Sequence, residues 1–242
     1  MLAAGIGRRL YGDNNTELPK ALLQFRGQTL IRRHVEKLIY FGIEELHIIV
    51  GHRSKDLLAE AQKWGGADFI SSTFNPRYLE GPKLSLTKGD SILRSGHDII
   101  FMDADVLYDV EILRRLVDTK YSNCLLMDKN FQSTDDFVKV CVKNDKVVDF
   151  GKRVDKDYDL VGEWPGLLKI NSETAIMVAE AAINYVERGD IEGAYEEIFR
   201  EVILNGNSLM FGVEDISGIP WIEIDYKSDL KKAQSEIITK IT

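Results

Sequence analysis

The sequence predicts an α/β fold: a mostly parallel mixed sheet covered by helices, with a smaller antiparallel lobe attached. Two observations carry this. Over the first half, short apolar runs alternate with amphipathic helical segments, the pattern that right-handed βαβ crossovers produce. Beyond about Tyr121 the alternation gives way to strand–turn–strand spacing.

Taken in order, Leu2-Ala3-Ala4 ends a first strand with almost no residues ahead of it. Either that strand is short or the native chain begins upstream of Met1. Thr29 to Phe41 carries Leu30, Ile31, Val35, Leu38 and Ile39 at helical spacing, and Gly42 ends the helix. Leu46 to Val50 is an apolar run bounded by turn signals, and Lys55 to Trp64 is an amphipathic helix closed by Gly65-Gly66. Phe69 to Phe74 reads as a strand, Lys83 to Ser95 as a helix, His97 to Met102 as a strand and Val110 to Thr119 as a helix. Asn123 to Met127, Phe137 to Lys143 and Lys146 to Lys152 read as antiparallel strands, with Asn144-Asp145 as the turn between the last two. Ser172 to Glu187 and Tyr195 to Leu204 are helices, Leu209 to Glu214 and Trp221 to Ile224 strands, and Ser228 to Lys240 a closing helix. No linker, repeat or low-complexity tract interrupts the chain. Residues 1–242 therefore read as one domain with two halves, about 1–120 and about 121–242.

The 242 residues suffice for a substantial core, and a hydrophobic fraction of 44% with 29% charged is ordinary for a globular protein. A net charge of −8 argues against a nucleic-acid binder and against docking on an anionic membrane. No apolar run approaches the ~20 residues that span a bilayer, and the N-terminus has no basic region followed by an apolar stretch. Cys124 and Cys141 lie in apolar strands without metal-ligand spacing, as buried thiols of a reducing compartment. The expected location is the cytoplasm. His34, His47, His52 and His97 are scattered, with no triad partner, and read as structural or surface residues.

The strongest local signal is Leu2-Ala3-Ala4-Gly5-Ile6-Gly7-Arg8-Arg9-Leu10, followed by Leu18-Pro19-Lys20-Ala21-Leu22. Glycines let the backbone approach a polyphosphate and turn its N–H groups inward. Arg8 and Arg9 add positive charge, and Pro19 fixes the backbone that presents Lys20. A Walker loop would need a GK[ST] element, which is missing, and a dinucleotide fingerprint a glycine where Leu10 stands. Phe101-Met102-Asp103-Ala104-Asp105 then places two carboxylates of equal parity at the end of an apolar strand, where open α/β sheets bind ligands. Such a pair suits Mg²⁺ held together with phosphate oxygens.

These motifs, with the following Gly27-Gln28-Thr29-Leu30-Ile31-Arg32, resemble the signature of the NTP-dependent nucleotidyltransferase family, which includes sugar-1-phosphate nucleotidyltransferases and small-molecule cytidylyltransferases. The resemblance implies a Rossmann-like three-layer fold and an enzyme. It implies that Leu2, Ala3, Ala4, Gly5, Gly7 and Arg8 wrap the triphosphate, with Lys20 and Arg9 catalytic. It places Asn75 and Ser85 at the nucleotide pocket. Trp221-Ile222-Glu223-Ile224-Asp225, with Asp229-Leu230 after it, resembles the family's second metal-ligand segment. Asp105 and Asp225 are then the Mg²⁺ ligands, with Asp103 and Glu223 weaker candidates. Lys152 falls where relatives contact the acceptor phosphate, and Gly162-Glu163-Trp164-Pro165-Gly166 resembles the acceptor-binding strand. Glu163 and Trp164 together would suit a cationic head group.

Gly12-Asp13-Asn14-Asn15 stands where sugar-specific members often carry a proline, which counts against a sugar substrate. The expected partners are therefore an NTP, with CTP favoured, and a small phosphorylated or phosphonate acceptor of the phosphocholine, aminoalkylphosphonate or inositol phosphate type. A sugar-1-phosphate is the alternative acceptor, and a non-catalytic nucleotide-binding regulator the alternative of another class. The oligomeric state stays open, a homodimer included.

Overall fold

The computed structural model describes residues 1–12, 16–131, 137–206 and 211–241. The chain passes from β1 (Leu2–Ala3) through α1 (Arg8–Tyr11) and a 3₁₀ turn (Lys20–Leu22) to the hairpin β2 (Gln24–Phe25) and β3 (Gln28–Thr29). Next come α2 (Leu30–Tyr40), β4 (Leu46–Val50), α3 (Ser54–Gly65) and β5 (Ile70–Phe74). They are followed by α4 (Pro82–Thr87), α5 (Asp90–Leu93), β6 (Ile99–Met102), β7 (Val106–Tyr108) and α6 (Val110–Val117). The second half contains β8 (Asn123–Met127), β9 (Lys139–Lys143), β10 (Lys146–Gly151), β11 (Leu160–Glu163), β12 (Leu167–Ile170), α7 (Ser172–Glu187) and α8 (Glu196–Asn205). It ends with β13 (Phe211–Asp215), β14 (Trp221–Glu223), α9 (Lys227–Lys232), a π turn (Ala233–Ile237) and α10 (Ile238–Lys240).

The central sheet is mixed. One ladder runs β13-β8-β12-β6 and another β1-β4-β5, and a parallel bridge between Leu2 and Asp103 joins them. Only β12 runs antiparallel to its neighbours β6 and β8. Alternation along the strands sorts the side chains onto two faces. Phe101, Leu125 and Leu168 pack under α7 and α8 with Val178, Ala182, Ile198 and Phe199. Met102, Leu126 and Leu167 pack with Ile31 and Val35 of α2, Leu57 of α3 and Leu113 of α6. A third cluster, with Leu107 and Ile224, lies beneath the C-terminal helical segment. The result is the three-layer α/β architecture expected from the alternating pattern.

Three expectations change. Asn123–Met127 is a strand, but it does not join the antiparallel hairpin. It lies inside the central sheet, parallel to β13, because all five of its residues are buried, as suits a strand covered on both faces. The helix expected over residues 83–95 breaks into α4 and α5 at Lys88-Gly89, where backbone bonds of the i-to-i+3 kind close the turn. Finally β7 emerges after the acidic turn and pairs with β14, an element too short to show periodicity. Leu209 and Met210 of the expected strand, like Asp13 to Asn15 of the first loop, lie outside the described residues.

The smaller lobe is the sheet β10-β9-β11. Asn144 and Asp145 take φ of 50° and 59° between paired Lys143 and Lys146, the positive values that a two-residue hairpin turn requires. A register shift between Val147 and Asp149 turns Asp149 inward, where it is fully buried. Its carboxylate accepts from Arg200 Nε at 2.7 Å and Nη2 at 3.1 Å, and from the amides of Phe150, Asp155 and Lys156. Burial works against this charge, but the bonds from Arg200 and the amides outweigh it and hold Asp149 below the ordinary carboxylate value. The pair fastens α8 to the lobe.

Asp149→Asn should therefore lower stability by about 3 kcal/mol, read as a lower urea midpoint with unchanged slope. A depressed folded-state value gives stability that is present above the unfolded carboxylate value and lost as pH falls through the folded one. The difference between wild type and variant should accordingly shrink with acidification below that range.

Candidate active site

A cavity of about 870 Å³ opens at the carboxyl ends of β1, β6 and β14 and extends to the lobe. Its floor is the opening loop. Leu2 and Ala3 pair with Ile49 and Val50 of β4, so the loop leaves the sheet between β4 and the end of β6. Leu2, Ala3, Ala4, Gly5, Gly7, Arg8 and Arg9 all line the cavity. Gly7 takes φ of 71°, and an added Cβ would meet the Tyr11 ring at 3.0 Å and Lys20 Cγ at 3.4 Å. Glycine is thus needed both for the backbone angle and to let Lys20 pass.

Lys20 opens the 3₁₀ turn behind Pro19, and its Nζ donates to Asp105 Oδ2 at 2.7 Å and to Asp225 Oδ1 at 2.8 Å. Arg9 Nη1 reaches the other oxygen of Asp225 at 2.9 Å. Burial disfavours the ammonium, but Asp105 and Asp225 overcome it and hold Lys20 above the ordinary lysine value. The carboxylates come together through strand pairing. Glu223 faces Val106 in the β14–β7 ladder, and the amide of Ile224 donates to the Asp105 carbonyl at 3.1 Å. Asp225 is therefore delivered beside Asp105 from a segment 120 positions along the chain. Asp229 fixes its backbone by accepting from the amides of Asp225 at 3.0 Å and Tyr226 at 2.7 Å.

Oxygen atoms of Asp105, Glu223 and Asp225 lie within 4.8 Å of one another. Burial, and then the neighbouring Asp105, raise Glu223 and Asp103 well above the ordinary carboxyl range. The parity expected of Asp103 and Asp105 does not arise from a strand, since β6 stops at Met102 and the two acids flank a turn. Asp105 turns to Lys20. Asp103 is held beneath by the Tyr195 hydroxyl and packed against Gly166, where an added Cβ would stand 2.9 Å from Asp103 Oδ2.

The other expected residues divide. Ser85 and Lys152 line the cavity. Asn75 is fully buried behind it, donating to Ser85 Oγ at 3.0 Å and accepting from the Arg77 amide, so it meets the wall through Ser85. Trp164 is among the residues lining the cavity, but its ring packs in the core against Phe101 and Phe150, with the indole N–H donated to the Leu167 carbonyl at 2.7 Å. Glu163 does not line the cavity. Its backbone pairs with Asp128 in an antiparallel bridge, and burial and then Asp128 push its carboxyl up to about 7. With the Trp164 ring committed to the core and Glu163 off the cavity, the two do not form one cage for a cation.

Sequence reasoning missed the opposing walls, Tyr78 to Pro82 and Glu192 to Glu196. An added Cβ on Gly81 would stand 2.0 Å from the Ile191 carbonyl, so the two walls touch there. Buried Lys83 clamps them, with Nζ 2.7 Å from both Asp190 and Glu197. The only signal was a run of small residues, Gly193-Ala194, before a helix start.

The chain is 22% identical over 253 residues to CTP:phosphoglutamine cytidylyltransferase of Campylobacter jejuni, covering 96% of each. Its fold is similar to the inositol-1-phosphate CTP transferase from T. maritima, with a TM-score of 0.76, 19% identity, and 99% of this chain and 93% of that one covered. It is also similar to CTP:phosphocholine cytidylyltransferase from Streptococcus pneumoniae, with a TM-score of 0.75, 23% identity, and 96% and 95% covered. Residues 1–132, more than half of the chain, match the MobA-like NTP transferase domain, and the chain belongs to that family of nucleotidyltransferases.

Proposed function

We propose that the chain transfers CMP from CTP to a phosphate or phosphonate oxygen of a small molecule and releases pyrophosphate. The observation that carries this reading is Lys20 held between Asp105 and Asp225 beneath the glycine loop. Gly5 and Gly7 open the floor to a triphosphate, and Arg8 and Arg9 offer charge at its edge. Lys20 is positioned to meet charge that grows at the α-phosphate, while Lys152 holds the acceptor anion for in-line attack. Such a reaction depends on alignment and charge neutralisation, and the acceptor oxygen, already anionic, needs no base.

Three oxygen-donor carboxylates within 4.8 Å, two of them bridged by an ammonium, fit a hard divalent cation such as Mg²⁺. Asp105 and Asp225 would hold it, with Glu223 beside them. When bound, the ion neutralises charge on the phosphates. The preference for CTP draws on the relatives, whose names specify CTP with phosphorylated acceptors. The central sheet takes strands from both halves, which supports reading residues 1–242 as one nucleotidyltransferase domain. Among the described residues no helix is long and apolar enough to cross a membrane.

Lys20→Ala should lower turnover by about 10²–10³ and leave the near-UV circular dichroism unchanged. Turnover close to wild type would remove Lys20 from the chemistry. Asp105→Asn and Asp225→Asn should each abolish Mg²⁺-dependent pyrophosphate release, as should EDTA; activity that survives the chelator would place the reaction elsewhere. Pyrophosphate release with each of the four NTPs, paired with phosphocholine, aminoethylphosphonate, inositol phosphate and glucose-1-phosphate, tests the donor. Turnover with UTP or dTTP and glucose-1-phosphate, and none with CTP, would overturn it.

A further inference from the structure

The acceptor end of the cavity contains a buried carboxylate that, among the described residues, is in no salt bridge. Glu196, the first residue of α8, lines the cavity at 9% exposure. Among the described residues no cation forms a salt bridge with it. Leaving a carboxylate desolvated and unpaired is costly, so a fold that keeps one on a cavity wall has a use for it there.

Its direction is fixed from both sides. The preceding Tyr195 donates its hydroxyl to Asp103, which ties the start of α8 to the end of β6. One turn later, Arg200 reaches Asp149 of β10. Residues four apart share a helix face, so Glu196 faces the same way as Arg200, toward the continuation of β10. Lys152 lies there, three residues beyond Asp149. Burial raises Glu196 above the ordinary carboxyl value, while Lys152 and Arg9 oppose that shift and favour its ionised form. The acceptor end thus offers a cation for an anion and, beside it, an anion for a cation. A neutral polyol could offer Glu196 hydroxyl hydrogen bonds but no counter-charge.

We infer that Glu196 binds an ammonium group on the acceptor, so that the acceptors are zwitterionic aminoalkyl or amino-acid phosphates and phosphonates. This rests on reading the cavity as a site of nucleotidyl transfer to a phosphorylated small molecule. It moves the cation site from Glu163 and Trp164 to the wall formed by Glu192 to Glu196.

The test pairs phosphocholine with the phosphate ester in which a tert-butyl group replaces the trimethylammonium, which keeps shape and removes charge. Wild type should favour the cationic acceptor roughly ten- to hundredfold in kcat/KM, the scale of a charge-assisted contact in a buried site. Glu196→Gln should erase that preference through the acceptor KM, leaving KM for CTP and the kcat with saturating acceptor within about twofold of wild type. Calorimetric binding of the same pair, without nucleotide, should show the same loss. A wild type indifferent to the charge, or a Gln variant that still discriminates, would overturn the inference. So would a Gln variant weakened equally toward both acceptors, since Glu196 would then be acting through Lys152. Charge-dependent binding that vanishes in the variant, with no pyrophosphate release from CTP, would instead strike the donor reading alone.

Discussion

The ammonium of Lys20 lying between Asp105 and Asp225 is the contact on which the rest of the site depends. Antiparallel pairing of β7 with β14 brings Glu223 and Asp225 beside Asp105, and like charges so close within a protein repel strongly. Without a cation the cluster would have to take up protons, and Glu223 and Asp103 are already displaced in that direction. Lys20 answers part of this charge, and Arg9 answers more from the loop side. The requirement reaches back into the opening loop, because the chain must clear the Lys20 stem, and at Gly7 only a residue without Cβ does so comfortably. Glycine loop, lysine and acids thus form one electrostatic unit assembled from three distant segments.

A second charged contact governs the far end. Asp149 and Arg200 join the lobe to α8, and α8 provides both the Tyr195–Asp103 link and the Glu196 wall. The two ends share the turn from Asp103 to Asp105. One acid of that turn faces Lys20 and the other faces Tyr195, so the two residues differ in role although they are two apart. His34 supports the turn from below, with a ring nitrogen 3.3 Å from the Ala104 carbonyl. It is fully buried, and burial with the nearby Lys37 pushes its pKa down to about 3, so the imidazole is neutral.

Local sequence was informative wherever chemistry is contained in a short segment. Asn144-Asp145 specified a two-residue hairpin because both central φ values must be positive. The pairing of the glycine loop with Pro19-Lys20 marked residues that do line one cavity. Segments whose role depends on a partner elsewhere were read less well. Asn123–Met127 looked like its sequence neighbours, yet its five buried residues belong between two central strands. Glu163 and Trp164 looked like a cation cage because they are adjacent, but the Trp164 ring is committed to the core against Phe101 and Phe150.

The sequence by itself determined the α/β alternation, the hairpin turn, and the glycine, lysine and aspartate segments that mark a nucleotidyltransferase. These follow from periodicity, turn geometry and short motifs, each complete within a few residues. Tertiary structure alone decided that β14 sits beside the acidic turn, that the walls at Gly81 and Ile191 meet, and that Glu196 is a buried acid on the cavity wall. Those outcomes depend on pairing across as many as 120 positions of chain and on a strand of three residues, β7, whose existence is settled by its partner. A periodic signal needs length, and a long-range contact leaves none.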